Sequence, residues 1–143
     1  MFDTSSGTQT ELLGAQLARR LVPGDVVTCS GELGAGKTTL IRGAARALGV
    51  GEVVTSPTFT IGQRYPAAAP VTYVAHVDLY RVRSLVDEDP GLLADYIRDD
   101  TITFIEWPEV GMQEIAELGR IALRVRIQHA GGDERRIEVD ESL

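Results

Sequence analysis

Between residues 8 and 21, Leu13, Leu17 and Leu21 recur four apart, with Leu12 and Ala18 on flanking positions and Gln9, Gln16, Arg19 and Arg20 left for solvent. This apolar stripe predicts a helix, with Thr8 or Thr10 as its cap and Pro23-Gly24-Asp25 as the turn that ends it. Gly14 inside the stripe costs ~1 kcal/mol relative to alanine. Val26-Val27-Thr28-Cys29 is too short for a helix and rich in β-branching, so it reads as a strand buried on both faces, as in a parallel sheet covered by helices. Leu40, Ile41, Ala44, Ala45 and Leu48 then form the inner face of a second helix, which Gly49 stops.

The middle of the chain is less regular. Pro57 biases Ser56 away from helix and marks a bend. Residues 58 to 65 are strand-like, and Pro66, three alanines and Pro70 read as an exposed connection. From Val71 to Leu79 a strand places Val71, Tyr73, Ala75 and Val77 on one face and Thr72, Val74, His76 and Asp78 on the other. A short helix is expected from Gly91 to Arg98, opened by Asp87 to Pro90 and closed by Asp99-Asp100. Ile102 to Ile105 is an apolar strand that ends at Glu106-Trp107-Pro108-Glu109. A short amphipathic helix covers Met112 to Leu118. Ile121, Leu123, Val125 and Ile127 share one face of a hairpin that turns at Gly131-Gly132-Asp133 and returns through Ile137 and Val139.

Composition narrows the class. At 143 residues, 43% hydrophobic and 24% charged, the chain reads as one globular domain over residues 1–143, with no internal repeat or composition shift. A single cysteine, Cys29, cannot form an internal disulfide, which suits a reducing compartment. No run approaches the roughly 18 apolar residues of a membrane helix, and the first residues do not read as a secretion signal. A cytoplasmic protein with no membrane role is expected. With 14 Lys and Arg against 21 Asp and Glu, the formal charge of −7 argues against a broad nucleic-acid footprint, DNA included. The only lysine in the chain is Lys37.

That lysine lies in Gly31-Glu32-Leu33-Gly34-Ala35-Gly36-Lys37-Thr38, an ungapped Gly-x-x-x-x-Gly-Lys-Thr match preceded by an apolar strand and followed by a helix. The glycines let backbone amides turn inward as an anion nest, and the helix start adds free N–H groups and a positive dipole end. Lys37 would reach the β- and γ-phosphates, the Thr38 hydroxyl would ligate magnesium, and Thr39 would support the α-phosphate side. A dinucleotide loop needs no such lysine. The Asn-Lys-x-Asp guanine signature needs a second lysine, so ATP is the expected nucleotide.

A phosphate loop of this kind needs a carboxylate near magnesium, normally at the end of an adjacent strand. Asp78 and Glu106 both have that placement, and their roles stay undivided between metal and attacking water. His76 would share the face of Asp78, and a packed structural histidine is as good a reading as any other. It has no cysteine or second histidine at zinc spacing. Arg81 and Arg83 could steady a phosphate or a partner's carboxylate, or simply be solvated. Trp107 could cover the nucleotide or a partner surface, or serve as a core or rim tryptophan. The hydroxyls of Thr55, Ser56, Thr58 and Thr60 lie where phosphate-sensing loops lie, although such a cluster is also an ordinary turn.

Four segments in order, GELGAGKTT at 31–39, SPTFT at 56–60, HVDLYR at 76–81 and IEWPE at 105–109, closely resemble the TsaE family (formerly YjeE). These are small P-loop ATPases required for threonylcarbamoyladenosine at position 37 of bacterial tRNA. The resemblance implies an α/β, three-layer P-loop fold: a mixed central sheet flanked by helices, with a C-terminal hairpin. It further implies ATP and magnesium held by residues 31 to 39, Lys37, Thr38 and Thr39 among them, with Asp78 and Glu106 near metal and attacking water. Trp107 would lie by the nucleotide and Ser56 to Thr60 would form a nucleotide-sensitive loop. It implies TsaD and TsaB as partners and weak hydrolysis until they are joined, so any tRNA contact would be made only within that complex. Glu32 stands where aspartate is common, and residues 84 to 99 look looser than the family's acidic helix.

Two other functions use the same loop. A small-molecule kinase would need a lid and substrate pocket, for which this chain leaves little length. A nucleotide-gated binding module would need no turnover, and measuring hydrolysis with and without partners separates it from an ATPase.

Overall fold

The computed structural model of the protein describes residues 1–57, 60–82 and 91–141. Ten regular elements follow in order: β1 (Phe2–Thr4), α1 (Gly7–Ala18), β2 (Asp25–Gly31), α2 (Lys37–Ala47), β3 (Gly62–Pro66), β4 (Tyr73–Asp78), β5 (Thr101–Glu106), α3 (Met112–Leu118), β6 (Arg120–His129) and β7 (Arg135–Glu141). Seven strands form one mixed sheet in the order β1-β7-β6-β2-β5-β4-β3. The central pairs β6–β2, β2–β5 and β5–β4 are parallel, while β3, β7 and β1 join antiparallel to their neighbours. The α/β class with a mixed sheet, flanking helices and a C-terminal hairpin is as expected. Among the described residues no helix is long and apolar enough to cross a membrane.

The apolar runs are continuous because the sheet is buried on both faces. Val27 and Cys29 of β2 face a core built with Leu13 and Leu17 of α1 and Leu40, Ile41 and Ala44 of α2. Val26 of the same strand faces a second core with Ile115 of α3, Leu93 and Ile97. The helices therefore lie on opposite sides of the sheet, and α2, which follows the glycine loop, shares its side with α1.

α1 and α2 approach backbone to backbone. A Cβ on Gly14 would lie 2.1 Å from the Leu40 carbonyl oxygen, and one on Gly43 would lie 2.0 Å from that of Glu11. Gly14 is thus an interface requirement that outweighs its poor helix propensity.

Four local readings are corrected. Ser6, rather than Thr8 or Thr10, caps α1, accepting from the Gln9 N–H at 3.1 Å. Thr10 is instead buried against the Thr4 hydroxyl at 2.8 Å, which ties the helix to β1, a strand too short to announce itself. The helix expected from Gly91 to Arg98 is only a 3-10 turn at Leu93–Asp95, and the Tyr96 carbonyl after it accepts from the Thr103 hydroxyl at 2.8 Å. Its proposed start at Asp87 to Pro90 lies outside the described residues. Strand β4 begins at Tyr73, and Val71 precedes it, packing in the same core as Val74. Finally, Ile121 does not share a face with Leu123. A register shift opposite Val26 and Val27 turns Ile121 to the α3 side and Leu123 to the α1 side.

The glycine contact makes a prediction whose sign is diagnostic. Gly43→Ala should lower unfolding stability by roughly 2–3 kcal/mol, measured by denaturant titration, whereas helix propensity alone would raise it by ~1 kcal/mol.

Candidate functional site

The loop after β2 turns back on itself through three glycines with positive φ: Gly31 at 144°, Gly34 at 75° and Gly36 at 106°. At Gly31 the reason is doubled, because a Cβ there would lie 2.3 Å from the Ile127 carbonyl oxygen of β6. Gly36 is the cap residue of α2 and provides no side-chain hydrogen bond, so the first-turn N–H groups are left for a ligand. Arg135 of β7 holds the loop from behind: its Nε donates to the Ala35 carbonyl at 2.9 Å, and its Nη1 to those of Gly132 and Glu134. Sequence reasoning missed Arg135, since nothing local connects it to a loop one hundred residues earlier.

Lys37 is only 4% exposed. Its ammonium donates to the Gly31 and Glu32 carbonyls, each at 2.7 Å, and lies 4.4 Å from the centre of the Trp107 ring. Tyr80 packs on that ring in turn, with centroids 5.0 Å apart. Burial holds the Lys37 ammonium below its ordinary pKa, while Glu106 and Asp78 pull it back up.

The carboxylates reach this loop through strand register. Cys29 of β2 pairs with Glu106 of β5, which pairs with Asp78 of β4. Glu106 is buried, and its Oε2 accepts from the Thr38 hydroxyl at 2.9 Å and stands 2.5 Å from Nε2 of His76. The Thr38 hydroxyl also meets the Ser56 hydroxyl at 3.0 Å. Asp78 accepts from the Tyr80 N–H at 3.0 Å. Burial raises its pKa above the ordinary carboxylate value, the Tyr80 N–H opposes that shift, and Glu106 adds to it.

Leu33, Gly34, Gly36, Lys37, Thr38 and Thr39 share one 280 Å³ cavity with Ser56, Asp78, Glu106 and Trp107. The three acidic and basic candidates and Trp107 are therefore brought together. Ala35 is buried behind the loop, and the Glu32 carbonyl takes the lysine. Thr58 lies outside the described residues, as does Arg83. Trp107 alone among described non-glycine residues has positive φ, at 57°, pinned where its N–H donates to the Cys29 carbonyl at 3.1 Å.

Among the described residues no group of three or more His, Cys, Asp or Glu could hold a metal by itself. One hydroxyl and two carboxylates around an anion loop is nonetheless a donor set suited to magnesium, which retains waters and phosphate oxygens.

Residues 4–137 match the family model described as "Threonylcarbamoyl adenosine biosynthesis protein TsaE". The chain belongs to the TsaE family. A TsaE protein of Streptomyces coelicolor is 45% identical over 121 residues, covering 85% of this chain and 80% of that protein. One from Bacillus subtilis is 37% identical over 134 residues, covering 94% and 80%. The crystal structure of Bacillus subtilis YdiB superposes with a TM-score of 0.67 at 32% identity, over 95% of this chain and 80% of that one. In this TsaE-family member the glycine loop and the HVDLYR and EWPE segments converge on one cavity.

The raised pKa of Asp78 has a consequence for stability. A carboxyl whose folded pKa exceeds its unfolded value penalises the fold when ionised, and that penalty disappears as pH falls through the raised value. Asp78→Asn should therefore raise the melting temperature of the metal-free protein at neutral pH. The gain should vanish on acidification below the ordinary carboxylate range, as followed by thermal denaturation across pH.

Proposed function

We propose that this TsaE-family protein binds ATP with magnesium and hydrolyses it, weakly alone and faster when engaged by TsaD and TsaB. Its role is in the biosynthesis of threonylcarbamoyladenosine in tRNA, the process for which the family is named. The observation that carries the reading is the convergence of Lys37, Thr38, Asp78 and Glu106 on one cavity at the ends of three adjacent parallel strands.

In this reading the glycine loop and the first turn of α2 bind the phosphate chain through backbone N–H groups. Lys37 exchanges the Gly31 and Glu32 carbonyls for phosphate oxygens, and its charge opposes the negative charge that develops on them. Magnesium, held by Thr38 with Asp78 and Glu106 near it, would neutralise phosphate charge. A carboxylate of this pair orients the attacking water. Trp107 and Tyr80 wall the cavity and limit bulk water around the reacting end. Partner engagement takes place in the cytoplasm, and any approach to tRNA occurs through the complex, because the formal charge of −7 disfavours tRNA binding by this chain alone.

The chain's single tryptophan stands beside the Lys37 ammonium, so ATP should change its fluorescence. Lys37→Ala should abolish tight ATP binding by fluorescence titration and calorimetry, and undiminished affinity would remove Lys37 from the site. Reconstitution tests the whole reading. Phosphate release should rise when TsaD and TsaB are added and fall by about a hundredfold or more with Glu106→Gln or Asp78→Asn. Transfer of phosphate to a metabolite would identify a kinase instead. A protein that binds ATP and releases no phosphate with its partners would be a nucleotide-gated module.

A further inference from the structure

The contact between His76 and Glu106 has no counterpart in the roles assigned above. His76 is fully buried on β4, on the face it shares with Asp78, and its Nε2 is 2.5 Å from Oε2 of Glu106. The other ring nitrogen, Nδ1, is buried without a hydrogen-bond partner. A carboxylate has no hydrogen to give, so at this contact the ring carries one on Nε2, which donates to Oε2 of Glu106.

We infer that His76 is a positioning residue that fixes the rotation of the Glu106 carboxylate, so that one oxygen is anchored and the other is left for the nucleotide cavity. The geometry gives the imidazole a distinct part. Both donors to Glu106, the Thr38 hydroxyl and the His76 ring, converge on Oε2, and no described residue donates to Oε1. Thr38 lies on the phosphate-loop helix and is the hydroxyl expected to turn to magnesium. Its hold on Glu106 would then be given up in the loaded site. His76 sits in the sheet below, with no such competing duty, so its bond persists. A group that must orient a water loses rate steeply when its angle is free, even while the ligand still binds.

This inference rests on the ATPase reading for its kinetic arm and on the free protein alone for its spectroscopic arm. In 15N spectra of the free protein, with the second histidine, His129, removed by substitution, the His76 ring should carry its hydrogen on Nε2. Glu106→Ala should shift the Nε2 resonance. Hydrogen on Nδ1, or no response to Glu106→Ala, would overturn the proposal. In the reconstituted system His76→Leu, which fills the buried volume without a donor, should lower kcat by about tenfold to a hundredfold while ATP affinity changes less than about threefold. His76→Gln places an amide N–H near the position of Nε2 and should recover a substantial part of the rate. Equal loss in both variants with matched melting temperatures would mean that His76 acts through packing alone, and an unimpaired His76→Leu would also overturn the assignment. If the wild-type protein released no phosphate with its partners, the functional reading would fail, and the spectra would still decide the hydrogen bond.

Discussion

The site depends on the register of three parallel strands. Cys29, Glu106 and Asp78 stand side by side across β2, β5 and β4, and the glycine loop leaves β2 just beyond Cys29. Because side chains alternate along a strand, a slip of one residue in either pairing would send a carboxylate to the opposite face of the sheet. Two backbone bonds extend the alignment past the strand ends: the Trp107 N–H donates to the Cys29 carbonyl at 3.1 Å, and the Leu79 N–H to that of Glu106 at 3.0 Å. The apolar cores on both faces resist a slip, since every buried position would have to exchange sides.

Within that frame the free site is a cluster of charges with few ways to relax. Lys37 and Glu106 are each 4% exposed, and both are bonded within the site. The lysine holds the loop's own carbonyls, and the Thr38 hydroxyl is shared between Glu106 and Ser56. Such internal pairing gives the Lys37 ammonium and Oε2 of Glu106 partners without a ligand. It also links the loop, the Ser56 bend and the β5 carboxylate, so a change at any one is felt by the others. Trp107, held in a backbone region that favours glycine, is a local strain at the same spot.

Much of this was legible because it is local. The Gly-Lys-Thr run, the doubly buried strands and the acidic residues at their ends are patterns of neighbouring positions. Periodicity located β2, α2, β5, α3 and the hairpin. What escaped depends on contacts between distant segments. Gly14 read as a propensity penalty because the Leu40 carbonyl that excludes a side chain belongs to another helix. Alternation carried Ile121 to the wrong face, since the shift against β2 is a property of the pairing and not of the strand. The apolar pattern of Leu92, Leu93 and Tyr96 or Ile97 suggests a helix, but the segment forms only a 3-10 turn, with the Tyr96 carbonyl tied to the Thr103 hydroxyl of β5. His76 was placed correctly beside Asp78, but its bond to Glu106 needed β4 and β5 in register.

The two ends of the chain bear on the site more than their plain sequences suggest. β1 pairs with β7, and its last residue, Thr4, bonds Thr10 on α1, so the terminus joins the hairpin to the helix that backs α2. On the same hairpin Arg135 grips the Ala35 carbonyl from behind the glycine loop. A loop whose glycines permit several backbone conformations gains a single shape only from such external fixings. The loop glycines supply freedom and the distant hairpin removes it. The shape of the glycine loop is therefore a tertiary feature, although its motif can be read from eight consecutive residues.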